Sequence, residues 1–145
     1  MKRILALLTV FVIISCGVDN GVKLCNEATF KVSTPISYSI GNGVDKHAVN
    51  EAVAFWNSYF DKTIFVEGVS DNVIVINDKP DRVLGTAYPT TTGETLSSFK
   101  IELDSKGNNA WVIAHELGHI LGLHHTEGGL MNKYINTSYS VTCSK

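Results

Sequence analysis

Residues 115 to 125 read HELGHILGLHH and hold four of the chain's five histidines. No other stretch constrains the fold as tightly. His115 and His119 stand four apart, so on a helix they share one face about one turn apart. Leu117, Ile120, Leu121 and Leu123 are apolar, which predicts a helix buried on its other sides. Two imidazoles so placed can take two corners of a tetrahedral Zn²⁺ site. Glu116 is next round the helix, near the metal but aimed past it at a bound water. Gly122 is placed to end the helix in a left-handed conformation. Beyond it the chain can swing back and offer His125. The step from glycine to histidine makes His125, and not its neighbour His124, the expected third ligand. Three neutral imidazoles leave zinc an open position and its full charge, which favours ionising a bound water.

The full pattern, His115-Glu116-x-x-His119-x-x-Gly122-x-x-His125, is similar to the long zinc signature of the metzincins. "VIAHELGHILGLHHTEGGLMN" resembles the active-site stretch of the matrixins, a branch of that clan. Met131 in "GGLMN" fits the methionine that metzincins carry in a tight turn below the metal. "VLGTAYP", 83 to 89, resembles the matrixin edge strand that lines the cleft, and "FKIELD", 99 to 104, the strand before the active-site helix. The resemblance implies an α+β zincin fold, a mixed twisted sheet packed on two main helices. It implies a zinc endopeptidase in which His115, His119 and His125 hold one Zn²⁺ and Glu116 is the general base. An extended peptide or protein substrate would add as a strand beside Gly85, Thr86, Ala87 and Tyr88.

Some features depart from the matrixin pattern. The step from His125 to Met131 is short. "MNKY" replaces the turn that usually follows the methionine, so Tyr134 receives no catalytic role. Residues 78 to 98 contain no histidine, so no second, structural zinc is expected. Asp78 and Asp81 could donate to calcium, but their spacing forms no recognisable loop. A zinc-containing adhesion or binding lipoprotein that no longer cleaves stays open as an alternative, as does a metalloprotease toxin delivered to other cells. Glu116 argues against the first, since a binding module has no use for a base there.

Around the motif, "ISYSI", 36 to 40, alternates as a strand. Asp45 can cap a helix to about Phe60, whose Ala48, Val49, Ala52, Val53, Trp56 and Phe60 recur at three- and four-residue steps. Strands are predicted at 63–69, at 72–77, where the run is β-branched, and at 98–104. Residues 78 to 95 read as an irregular stretch with one short strand at 83–88. Asn108 or Asn109 caps a helix from Ala110 to Leu121. This order describes an α+β sheet domain.

The N-terminus gives an address. Lys2 and Arg3 precede an apolar run from Ile4 to Ile14, followed by Ser15 and Cys16, the pattern of a secretory signal. "IISC" resembles a bacterial lipobox, which implies cleavage before Cys16, its lipidation and a membrane anchor. Gly17 rather than Asp follows, which favours the outer membrane or cell surface over inner-membrane retention; the alternative is a periplasmic or secreted protein. The expected organisation is signal peptide 1–15, lipidated cysteine and tether 16–34, and catalytic domain 35–145. Cleavage removes two cations and no acid, leaving ten cations against fourteen acids, a net charge of −4. That balance gives no reason to expect nucleic acid as a partner, and a monomer is expected. Cys25 and Cys143 can pair after export, and the matrixin comparison brings the two ends of the domain together.

Overall fold

The computed structural model describes residues 21–78, 83–134 and 139–145. The signal segment, Cys16 and Asp81 lie outside the described residues. Five strands and two helices follow in the order β1 (Ile36–Ile40), α1 (Lys46–Tyr59), β2 (Phe65–Glu67), β3 (Val73–Ile76), β4 (Gly85–Thr92), β5 (Thr95–Leu103) and α2 (Ala110–Ile120). They form one sheet in the order β2-β1-β3-β5-β4. Its first four strands run parallel and β4 runs antiparallel to β5 at the edge. This is a metzincin-like α+β fold.

Helix α1 begins where Asp45 accepts the amides of His47 and Ala48, the N-cap role expected of it. Ala48, Val49, Ala52 and Trp56 form its buried face. Asn57, on another face, accepts the amides of Ile64 and Phe65 and so aligns β2 with the helix. Asn109, one of the two capping candidates, accepts the amide of Val112 and starts α2. Seven of the eleven α2 residues are buried. Such a helix depends on packing on several faces rather than on solvation of one. Trp56 joins the two helices: it is fully buried, and its indole N–H donates to the carbonyl of Ala114 at 2.8 Å.

Two expectations change. The stretch from 78 to 95 is not irregular with one strand ending at 88. Strand β4 continues to Thr92, and a two-residue turn at Gly93 and Glu94 returns the chain into β5 at Thr95, three residues before the expected start. Residues 89 to 94 are exposed, so the sequence has no apolar alternation there to mark a strand. The described part of the segment 16–34 is also not a free tether. Cys25, Ala28 and Val32 are buried in the core, and Thr29 donates its amide and hydroxyl to the carbonyl of Gly122. Cys25 and Cys143 form a disulfide with Cα atoms 5.3 Å apart, joining this segment to the C-terminal tail. Among the described residues no helix is long and apolar enough to cross a membrane.

Candidate metal centre

Helix α2 places His115 and His119 on one face. Its C-cap is Leu121, and Gly122 follows with φ +85°, a left-handed turn suited to glycine. A β-carbon at Gly122 would also come within 3.0 Å of the Thr29 amide nitrogen. The turn brings His125 back to the first two histidines. Their three Nε2 atoms form a near-equilateral triangle with edges of 3.1, 3.2 and 3.2 Å. His124 is exposed and takes no part in it.

The surroundings dictate what those nitrogens carry. His115 Nδ1 lies 2.7 Å from the Leu130 carbonyl, and His119 Nδ1 lies 2.8 Å from the Leu123 carbonyl. A carbonyl oxygen can only accept, so each Nδ1 bears the proton and each Nε2 of the neutral ring presents a lone pair. Lone pairs converging at this distance call for a cation among them. A tetrahedral Zn²⁺ with bonds of about 2.0–2.1 Å spaces its nitrogens about 3.3–3.4 Å apart. The triangle is within a few tenths of an ångström of that, so the donor set fits zinc.

Proton affinities point the same way. Burial holds all three imidazoles below the ordinary histidine value, taking His119 to about 4. Without metal they are therefore neutral ligands at neutral pH. A second cluster of suitable residues, Cys25, Glu27 and Cys143, has its sulfurs committed to the disulfide.

Glu116 is buried beside the triangle. Gly85 of β4 lies against it: a β-carbon there would stand 2.8 Å from Glu116 Oε1 and 2.8 Å from Val112 Cγ1. Glycine at 85 is what lets β4 and α2 approach with the carboxylate between them. Behind the helix, Gly118 makes a matching space. A β-carbon there would collide with Met131 Sδ and crowd the Trp56 ring. Met131 is buried in that space, and the Thr126 amide donates to its carbonyl to close the loop after His125.

The register of β4 determines how its edge can be used. The Asp104 amide donates to the Leu84 carbonyl at 2.9 Å, and Gly85 stands opposite Leu103. In an antiparallel ladder bonded and non-bonded pairs alternate. Leu84, Thr86 and Tyr88 therefore spend their backbone groups on β5, while Gly85, Ala87 and Pro89 turn theirs to the open edge. Of the four residues expected to meet substrate, Gly85 and Ala87 present main-chain groups. Thr86 lines a cavity of about 440 Å³ with Ala87, Pro89 and Phe30, and the Tyr88 hydroxyl donates to Glu102 at 3.4 Å.

On the other side of the triangle a cavity of about 560 Å³ opens at the Gly85 end of β4, walled by Leu84, Trp111, Val112, Leu130 and Lys133. The resemblance implies that helix residues near His115 and the segment after Met131 wall the pocket beyond the cut; here these are Trp111, one turn before His115, and Lys133, two residues after Met131. Tyr134 stands 76% exposed at the cavity mouth. Asp78 accepts the Ser105 amide at 2.7 Å, a local structural use for the carboxylate.

The sequence model of the metallo-peptidase family M12B, reprolysin-like, matches residues 27–126, from the buried N-terminal segment through the third histidine. The chain belongs to this metallopeptidase family. Among solved structures it is similar to high choriolytic enzyme 1, a hatching enzyme zinc-protease from the medaka fish Oryzias latipes, at 20% identity and a TM-score of 0.41. That similarity covers 77% of this chain and 54% of the other, so the chain spans about half that structure's length. No curated protein sequence matches it.

Two outcomes follow. Replacing His125 by Ala should abolish stoichiometric zinc in elemental analysis of the purified protein, while His124→Ala should keep it. The depressed proton affinity of His119 gives the metal-free protein a definite pH dependence. Stability is complete above the unfolded-state value near 6.5 and is lost as pH falls through about 4, because the unfolded chain binds the proton more readily. Melting temperatures of the metal-free protein should fall across that window, with a shallower slope for His119→Gln.

Proposed function

We propose that this metallopeptidase is a zinc-dependent endopeptidase that cuts extended protein or peptide substrates outside the cytoplasm. The observation that carries this is the convergence of three imidazole Nε2 atoms beside a buried carboxylate, in a cleft bordered by an open strand edge. Zinc, when bound, supplies Lewis acidity that favours ionisation of a water and polarises a peptide carbonyl.

The chain's own residues do the rest. His115, His119 and His125 hold the ion, and the Leu130 and Leu123 carbonyls fix the orientation of the first two rings. The open edge of β4 can hydrogen-bond a substrate main chain at Gly85 and Ala87 as an added strand. Pro89 lacks an N–H and limits that pairing on one side. Glu116 takes the proton of the attacking water as its oxygen bonds to the carbonyl carbon. It then gives that proton to the departing amine as the C–N bond breaks. A substrate antiparallel to β4 brings the residue beyond the cut to the Gly85 end, into the cavity walled by Leu84, Trp111 and Leu130.

The matrixin-like subtype and the address are part of the proposal. "VLGTAYP" and the Met131 turn support the first, whereas the family model that matches is the reprolysin-like one. The secretory signal and "IISC" support export and lipidation at Cys16, to the outer membrane or cell surface, and the Cys25–Cys143 disulfide suits an oxidising compartment. Glu116→Ala should keep the fold and the zinc while lowering peptide hydrolysis by about 10²- to 10⁴-fold. Equal activity of wild type and Glu116→Ala on a broad peptide library, with zinc bound in both, would remove the general-base assignment.

A further inference from the structure

The wall of the 560 Å³ cavity is chemically uneven. Leu84, Trp111, Val112 and Leu130 make its body apolar, and Lys133 stands in its lining as a cation. Lys133 is exposed and makes no ion pair among the described residues. Its location is set by the turn around it. The Asn132 carboxamide donates to the Glu127 carbonyl at 3.1 Å and accepts the Tyr134 amide at 2.9 Å, which fixes the backbone on both sides of the lysine. The charge is also near the metal site, since Lys133 and His125 line the same cavity. The acid in the same lining, Glu116, is committed to proton transfer in the function proposed above.

An apolar pocket with one cation suits a side chain that has a short aliphatic stem and a negative end. We infer that Lys133 selects substrates carrying an acidic residue, glutamate or aspartate, immediately after the scissile bond. This rests on the peptidase reading and on a substrate running antiparallel to β4. A carboxylate entering beside Leu84 and Trp111 buries its stem against them and carries its charge toward the ammonium. A basic side chain there meets like charge next to a metal cation. The attraction is screened by water at the mouth, so the preference is modest, roughly three- to fivefold at low salt, and it fades as the Debye length shrinks to about 3 Å in 1 M salt.

The test compares matched peptides with Glu, Gln or Lys at each position on both sides of the cut, using zinc-loaded wild type, Lys133→Met and Lys133→Glu. The ratio of kcat/KM between peptides within one enzyme cancels differences in folding or metal content. Wild type should favour Glu over Gln at the position after the cut and nowhere else, Lys133→Met should level the two, and Lys133→Glu should favour Lys. The Kd values of the same peptides for zinc-loaded Glu116→Gln protein, read by fluorescence anisotropy, should follow the same order. Cleavage with no acid preference, or a preference that survives Lys133→Glu, overturns the assignment of Lys133 and leaves the peptidase reading standing. If no peptide is cut by wild type, the peptidase reading fails. The Kd values then judge the charge recognition alone: tighter Glu than Gln binding that Lys133→Glu abolishes upholds it, and equal binding overturns it.

Discussion

Three imidazole Nε2 atoms held 3.1 to 3.2 Å apart, two of them with lone pairs set toward the others by the carbonyls behind their rings, impose a demand that the surrounding structure must meet. Neutral rings repel one another in that arrangement, and protonated rings repel more strongly. A divalent cation turns the repulsion into three bonds. The helix spacing, the left-handed turn at Gly122 and the burial of α2 all serve to keep the three rings converged. Metal binding and folding are coupled in such a site, since the unfolded chain has no preformed set of donors.

The convergence is held from outside the motif. Leu130 accepts from His115 with its carbonyl, and its own amide donates to the Ser140 carbonyl at 2.8 Å. The tail that carries Ser140 is tied down in turn. Tyr139 lies against Trp111, Ser144 donates its amide and hydroxyl to Glu27, and Cys143 is bonded to Cys25. A segment without helix or strand thus forms the outer support of His115. The N-terminal segment supports the other end of the motif through Thr29 and Gly122. Cross-linking these two segments through one disulfide restricts the unfolded chain across a separation of 118 residues, which stabilises the fold by about 4 to 5 kcal/mol in the chain-entropy model.

The sequence made the centre of this arrangement legible and left much of its support unreadable. Metal-ligand spacing on a helix is a strict code, so α2, its glycine turn and the choice of His125 over His124 could be read from residue types alone. Helix α1 was equally plain from its apolar steps and its aspartate cap. The β4–β5 hairpin was hidden because Thr90 to Thr92 are exposed, and a strand without a buried face carries no alternation. The packed segment 22–34 was hidden for a different reason: Cys25, Ala28 and Val32 reach the core from turns and isolated bridges, with no helix or strand whose pattern could be read. The Leu123 and Leu130 carbonyls that orient the histidines leave no trace in sequence, since every residue has a carbonyl. Lys133 is a surface residue by type, and its charge in the cavity wall is not marked by any motif.

The central claim is that His115, His119 and His125 hold a zinc ion with one position left for water or substrate. X-ray absorption at the zinc edge of the metal-loaded protein reads that coordination directly. The account predicts three imidazole nitrogens and one light oxygen donor, all at about 2.0–2.1 Å. Sulfur in the coordination shell, a fourth imidazole, or an all-oxygen shell would contradict it.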